Sequence, residues 1–452
     1  MDNLDPGYDV FIAGSGPLGA TYARQVLENH ESARVLMVEV GAQEGPIVGM
    51  NMKNAVKYQR DFDAFTHIIR GAMQPMSIPP ADGFLSALQG DVWSQTKGRS
   101  SVGSPFNPDQ DHTQALGYGA VTRSVGGMAT HWTCCCPEPH DDELVQSPIE
   151  RSKMRKLLQR GKELLNVRTD QFDTSVRHQL VKKALADAYQ HRGISVTSLP
   201  LAAERSKDND TLVEWSGMNT VLGNYIDAKD AHGRNRFKLL TECLVIKFEA
   251  NPDAPNIIKS ALIRDLPHLS LKYWIVVLRK TLLDKLKGEN TNLDPSDEVP
   301  IPLNDLEPQF HRDSFSYGDV GPQVDQRVVL DIRYFCMLEV QESNRISFAT
   351  EDHLGRPNTD IYGMPQPTFH FKTTAKDDQL AHVMMKEMCE AASVLGSYLP
   401  TAPPQFMASN DSYIHQRGPN CIPDSTVSNP TLTAVAYALQ GADDLLHVLR
   451  GA

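Results

Sequence analysis

The sequence predicts an α/β fold that opens with a doubly wound sheet and continues into a second, sheet-bearing domain. Three observations predict it. Near the N-terminus an apolar run, a glycine-rich turn, a helical pattern and a second apolar run follow one another, in "YDVFIAGSGPLGATYARQVLE" and then "ARVLMVEVG", which is how such sheets begin. Strand-like runs gather late in the chain, at "RVVLDIRYF", "RISFAT" and "PTFHF". The 452 residues also exceed the roughly 250–300 at which a single core stops growing.

Taken in order, the first helix carries Leu18, Tyr22 and Val26 at helical spacing on one face. From Asn54 to Gly127 the chain mixes Pro, Gly and Ser with short apolar pieces, as a long covering loop would. Helical patterns return at "SKMRKLLQRGKELL" and "RHQLVKKALADAYQHRG", and the Asn-, Asp- and Pro-rich stretch Gly288 to Pro308 reads as a surface connection. A helix at "DDQLAHVMMKEMCEAASVLGSYL" precedes the terminal one, "NPTLTAVAYALQGADDLLHVL", for which Asn429 is expected as N-cap and Pro430 as first helical residue.

Composition excludes several functions. A net charge of −12 argues against a nucleic-acid surface. The apolar run Tyr273 to Leu278 falls far short of the roughly 20 residues of a membrane span. The acidic "MDNLDPGYDV" lacks a signal-peptide pattern and the final "RGA" is no peroxisomal address, so a cytoplasmic location is expected. Seven cysteines, an odd number without any CxxC pair, fit a reduced compartment. Three of them, Cys134 to Cys136, stand together in "VGGMATHWTCCC". Adjacent cysteines rarely face one tetrahedral ion, so they are expected to be small packing residues, and no metal is expected.

The motif with the clearest chemistry is "GSGPLG", in which Gly14, Gly16 and Gly19 lie between strand and helix and Glu39 follows at the end of the next strand. Small residues allow the tight turn and a close backbone approach to a pyrophosphate, the helix N-terminus attracts the anion, and the acid accepts ribose hydroxyls. This predicts a bound dinucleotide.

"VTRSVGGMATHWTC" resembles the flavin-attachment segment of the pyranose 2-oxidases, a branch of the glucose-methanol-choline (GMC) oxidoreductases. The segments "MKNAVKYQRDFDAFTHIIRG", "NPDQD", "TDQFDTSVRHQLV", "VEWSGMNTV", "FHRDSFSYGDV", "GMPQPTFHF", "APPQFM" and "NPTLTA" resemble family segments in family order. The resemblance implies FAD as cofactor, held in part by Gly127, Thr130, Thr133, Pro430 and Thr431 and attached covalently through the ring of His131. It implies His415 in "SYIHQRGPN" as catalytic base with Asn429 as partner, and it makes Gln309, Asp313, Phe315, Tyr317 and Arg333 contacts of the sugar. Oxidising an alcohol by hydride transfer requires the hydroxyl proton to leave, for which a neutral histidine is suited.

The implied reaction is oxidation of a secondary hydroxyl of a glucose-like pyranose, with oxygen or a quinone as electron acceptor and a homo-oligomer as a possible assembly. Alternatives are a tailoring oxidoreductase of fungal secondary metabolism, forming for example a kojic-acid-type pyrone, or a flavin-binding pseudoenzyme. The resemblance implies a doubly wound FAD-binding domain interleaved with an α+β substrate domain built on a mixed sheet: an FAD-binding part at 1–150, FAD-binding and connecting segments at 151–260, the substrate domain at 261–405, and a return to the FAD domain at 406–452. The chain departs from the family pattern in two places, near 265–300 and 416–428, where core segments of the flavin domain are shortened.

Overall fold

The computed structural model describes residues 8–55, 73–75, 107, 109–111, 114, 120–145, 147–208, 212–252, 254–266, 301–302, 338–360, 363–396 and 429–450. A three-stranded parallel sheet lies at its centre, in the order β1 (Val10–Ala13), β2 (Val35–Val38), β8 (Phe237–Leu240). Helix α1 (Pro17–Asn29) makes the crossover from β1 to β2. The central strand "VLMV" is buried throughout, as expected of a parallel strand covered on both faces. Its side chains alternate: Val35 and Met37 face the main core, whereas Leu36 and Val38 pack with Cys243 under a hairpin of β9 (Cys243–Asn251) and β10 (Ala254–Asp265). Phe11 of β1 meets Phe248 of that hairpin edge to face at 5.7 Å. The sheet is therefore the middle of three layers, helix, sheet and hairpin.

The main core lies on the helical side. There α1 packs against α6 (Thr431–Leu449), and α6 in turn against α2 (Arg151–Leu165). The buried stripe of α1 is Ala20, Ala23, Val26 and Leu27, rather than Leu18, Tyr22 and Val26, because the small residues let α1 lie close to its neighbours. Tyr22, half-buried, instead lies over Gly441 of α6, where any Cβ would overlap the tyrosine hydroxyl. The buried Arg236, just before β8, donates to the carbonyls of Ala33 (3.1 Å) and Leu27 (3.0 Å) and to that of His30. It thereby satisfies the open C-terminal end of α1 and sets a cation against that helix's negative pole.

Helix α6 begins one residue later than the sequence suggests. Pro430 occupies the cap position in an α-like conformation (φ −84°, ψ −1°), its carbonyl accepts the amide of Ala434 at 2.8 Å, and no side chain caps the helix. Asn429 lies outside the helix because the fixed proline φ already suits the helical turn, which leaves no role for an Asn cap.

A four-stranded antiparallel sheet, in the order β11 (Ile301–Pro302), β7 (Leu212–Trp215), β6 (Leu201–Arg205), β5 (Val167–Arg168), adds its buried side chains to the same main core. Ile301 and Pro302 lie inside the stretch read as a surface connection, yet they pair with Val213 and Leu212; the proline is tolerated because β11 is an edge strand. Likewise β3 (Met73–Pro75) pairs with β4 (Ala120–Thr122) within the stretch read as a covering loop. Helices α3 (Val176–Tyr189) and α5 (Ala375–Leu395) occupy the expected runs, as do β12 (Arg345–Ala349) and β13 (Gln366–His370), which form a hairpin. Short helix α4 (Met218–Leu222) packs on α1. The run "RVVLDIRYF" lies outside the described residues. Among the described residues no helix is long and apolar enough to cross a membrane, and no group of His, Cys, Asp and Glu is arranged to hold a metal ion.

Candidate active site

The three glycines of the first turn do three different things. Gly14 adopts φ +98°, open to glycine at no steric cost, and its amide donates to Val38 at 2.7 Å, closing the strand onto β2. Gly16 is the N-cap of α1 with Pro17 at the first helical position, and the space in front of both Gly14 and Gly16 is open to 4 Å. Gly19 is closed in: a Cβ there would overlap the Gly14 carbonyl and press on Ile12. The turn is thus an open cradle at a helix N-terminus, the geometry that receives a phosphate group.

Glu39, at the end of β2, is buried and ties the cradle together. Its Oε2 accepts the amide of Ser15 (2.9 Å) and the Ser15 hydroxyl (2.7 Å), and its Oε1 accepts the amide of Gly41 (2.8 Å). A carboxylate has about four lone-pair positions, so one remains for a ribose hydroxyl.

The segment around Val125 to His131 lies directly on this cradle. The Gly126 amide donates to Ser15 Oγ at 2.9 Å, Ser124 bridges to Ala42, and the Val125 amide donates to the Ala42 carbonyl at 3.0 Å. A Cβ on Gly127 would stand 3.1 Å from Gly16 Cα, so the two glycine turns meet backbone to backbone. A short 3-10 turn, Gly127–Thr130, follows, fixed by Thr130 Oγ1 donating to the Gly127 carbonyl at 2.8 Å. It delivers His131, 8% exposed, with Nε2 2.9 Å from Thr122 Oγ1. Thr133 is half-buried two residues on.

Beyond it the cysteine triplet turns into the core. Cys134 accepts the Ala202 amide on its carbonyl and Cys136 donates its amide to Pro200. All three thiols are buried and unpaired by disulfides. Burial pushes the Cys134 and Cys136 thiols well above the ordinary range, so they stay protonated and serve as packing.

The helix bearing Pro430 and Thr431 reaches the same end of the fold. Tyr22 lies on Gly441, Gln25 Nε2 donates to Asp443 at 2.8 Å, and Arg450 donates to the Asn29 carbonyl at 2.8 Å, so α1 and α6 run parallel. Carrying that register back sets Thr431 about 7 Å beyond the level of Pro17, at a rise of about 1.5 Å per residue. Both helices therefore direct their positive poles to the same side.

The structure brings Gly14, Gly16, Gly19, Glu39, Gly127, Thr130 and His131 together, with Thr133 beside them and Asn429, Pro430 and Thr431 at the head of α6. His415, Gln309, Asp313, Phe315, Tyr317 and Arg333 lie outside the described residues. Sequence reasoning missed Ser15, whose hydroxyl joins the cradle to Glu39 and to the Gly126 amide, and Ser124 and Thr122, whose hydroxyls pair with Thr130 and His131 within the turn that follows. Ser15 was visible as the residue between two motif glycines, but a serine there has no distinctive signal by itself.

No family model matches this chain. It is 36% identical to the pyranose 2-oxidase of Tricholoma matsutake over 540 aligned positions, covering 98% of this chain and 94% of that protein. It is 26% identical to the C-glycoside 3-oxidase of Microbacterium trichothecenolyticum, covering 96% of this chain and 95% of that one. Because 540 aligned positions exceed the 452 residues present, the Tricholoma protein carries internal segments that this chain lacks. Among solved structures, pyridoxine 4-oxidase from Mesorbium loti superposes with a TM-score of 0.35 at 15% identity over 57% of this chain and 46% of that one.

Proposed function

Since the chain belongs to the pyranose 2-oxidase family of GMC oxidoreductases, we propose that it is an FAD-dependent enzyme oxidising a secondary hydroxyl of an aldopyranose such as glucose. The product is the keto-sugar, with the second carbon as the site of oxidation. The observation that carries this reading is the joining of three segments distant in sequence, the glycine cradle, Glu39 and the Ser124 to His131 turn, through Ser15. Its open face and its acceptor carboxylate fit the pyrophosphate and ribose of FAD.

Bound FAD would supply the acceptor for the hydride leaving the alcohol carbon. The protein's part is to hold the groups that make this departure possible. Gly14, Gly16 and the amides at the head of α1 would receive the pyrophosphate, and Glu39 would accept from the ribose. Gly127, Thr130 and Thr133 would help to hold the cofactor, and His131 would tether it covalently through its imidazole. On this reading the β1–α1–β2 unit and β8 would belong to a doubly wound FAD domain like that of the family. The amides at Thr431 and the positive pole of α6 would offset negative charge on a bound cofactor. His415 takes the hydroxyl proton on an imidazole nitrogen, and Asn429, free of a capping role, orients the same oxygen. By the family resemblance, Gln309, Asp313, Phe315, Tyr317 and Arg333 would supply the contacts of the sugar. Oxygen is the electron acceptor, reduced to hydrogen peroxide, with quinones as substitutes.

The test is direct. Protein precipitated in acid should stay yellow and lose its colour in His131→Ala; a colourless precipitate from the unaltered chain would remove the tether. Glucose consumed under air should yield the 2-keto-sugar and peroxide, whereas a 3-keto product would align the chain with the reaction named for the Microbacterium relative.

A further inference from the structure

Helix α3, the turn after β5 and the extended strand leading into β6 enclose a cleft of about 180 Å³, separate from the residues of the glycine cradle. One part of its lining is apolar, formed by Phe172, Leu185 and Leu199. The other part is cationic. Lys182 Nζ donates to Ser198 Oγ at 2.9 Å, and His178 Nε2 lies 3.2 Å from the same oxygen. His178, Lys182 and Leu185 reach the cleft together because they recur at helical spacing along α3.

Among the described residues Lys182 forms no ion pair, and Ser198 is its one hydrogen-bond acceptor. An ammonium carries three donors and no acceptor, so two of them remain to be used within a half-enclosed, partly apolar space. Arg168 at the rim holds a single long ion pair to Glu204, 3.7 Å. Donation from Lys182 also fixes what Ser198 can do. With one lone pair taken by the lysine, its hydroxyl proton is directed either to a neutral His178 or into the cleft. The cleft therefore presents an excess of donors and positive charge at one end in a chain whose net charge is −12.

We propose that this cleft binds a small amphipathic monocarboxylate, its carboxylate received by Lys182 and Ser198 and its aryl or branched-alkyl body lying against Phe172, Leu185 and Leu199. The volume sets the size. At about 180 Å³ it is smaller than the roughly 300 Å³ at which drug-sized sites begin. A single substituted ring fits, and a pyrophosphate-bearing cofactor does not. The site does not rest on the proposed sugar chemistry.

The test uses 4-fluorobenzoate as the probe, followed by fluorine NMR with the full-length protein, and the uncharged 4-fluorobenzyl alcohol as its match in shape. The benzoate should bind saturably, and the alcohol should bind about tenfold more weakly because it lacks the charge-assisted bonds. Lys182→Met should weaken the benzoate by a similar factor, and Lys182→Arg, which keeps the charge, should retain most of the binding, so that a general loss of fold is told apart from loss of the site. No binding by the unaltered protein, equal binding of the alcohol, or unchanged affinity in a folded Lys182→Met would each overturn the assignment.

Discussion

Replacing Glu39 by Gln exchanges one carboxylate oxygen for an NH2 group and leaves the shape of the side chain nearly unchanged, so its effect isolates what the carboxylate does. In the structure Glu39 is 4% exposed and accepts three hydrogen bonds, two from Ser15 on Oε2 and one from the Gly41 amide on Oε1. A carboxamide offers one acceptor oxygen and one NH2. If the oxygen serves Ser15, the NH2 faces the Gly41 amide, donor against donor; if the amide is flipped, the Ser15 amide is orphaned. Either way a buried donor loses its partner, at about 1–3 kcal/mol. The bonds that survive pass from charge-assisted to neutral, which roughly halves them. The expected loss in folding stability is about 3 kcal/mol, combining an orphaned donor with weakened neighbours. Ser15 Oγ also receives the Gly126 amide, so the same change should loosen the turn that carries His131 and lower the flavin content of the purified protein. Denaturant unfolding of Glu39→Gln against the unaltered chain measures the first effect, and visible absorbance per protein the second. A stability change below about 0.5 kcal/mol, within what an ordinary surface substitution produces, together with full flavin content would refute the role given to this carboxylate.

Three further outcomes follow from the geometry. Gly441→Ala should destabilise the α1–α6 contact by about 1–3 kcal/mol, as overpacking does, and Tyr22→Phe in the same chain should recover part of the loss, because the tyrosine hydroxyl is the first atom a Cβ would meet; an unchanged unfolding midpoint in the single variant would contradict the packing. The carboxyl of Asp352 is held at about 2 by the Arg356 amide first, against some desolvation, with the Arg356 side chain and the Leu354 amide adding to it. At Asp230 desolvation pushes upward, but the Arg234 amide and side chain and the His232 amide outweigh it and hold the carboxyl at about 2. A folded value below the unfolded one means that each carboxylate stabilises the fold in full above about pH 4 and ceases to do so as pH falls toward 2. Carboxyl-carbon NMR midpoints near 4 for both would contradict this. Finally, the thiols of Cys134 and Cys136 should resist alkylation in the native protein and react on unfolding, since burial holds them protonated; rapid native labelling of either would contradict it.

The β1–α1–β2 unit was legible because three signals agree there, apolar runs of strand length, a glycine turn and an acidic residue ending the second strand. The cysteines were legible by the absence of ligand spacing. The buried face of α1 was not, because periodicity weights large apolar side chains, whereas Ala20 and Ala23 are buried for being small. The third strand of the parallel sheet, β8, is distant in sequence from β2 and its run "FKLL" has little to mark it; only tertiary pairing identifies it. The start of α6 shifted by one residue because Asn429 and Pro430 each suit a helix start, and the structure shows that the proline backbone alone fills the cap position. In the site, Gly14, Gly16, Gly19, Glu39, Gly127, Thr130 and His131 lie together, His415 and the sugar contacts fall outside the described residues, and the hydroxyls of Ser15, Ser124 and Thr122, which fix the cradle and its turn, carried no signal in the sequence. Such joints are set by where segments meet, which a one-dimensional pattern does not contain.

The central claim is that the cradle, Glu39 and the His131 turn hold a flavin that takes electrons from a sugar. Mixing the purified protein anaerobically with glucose and recording the visible flavin band tests it most directly. The band should be present before mixing, bleach on addition of glucose, and return when air is admitted. A protein that carries no flavin band, or one whose band is unchanged by glucose and by every other aldopyranose tried, would contradict the account.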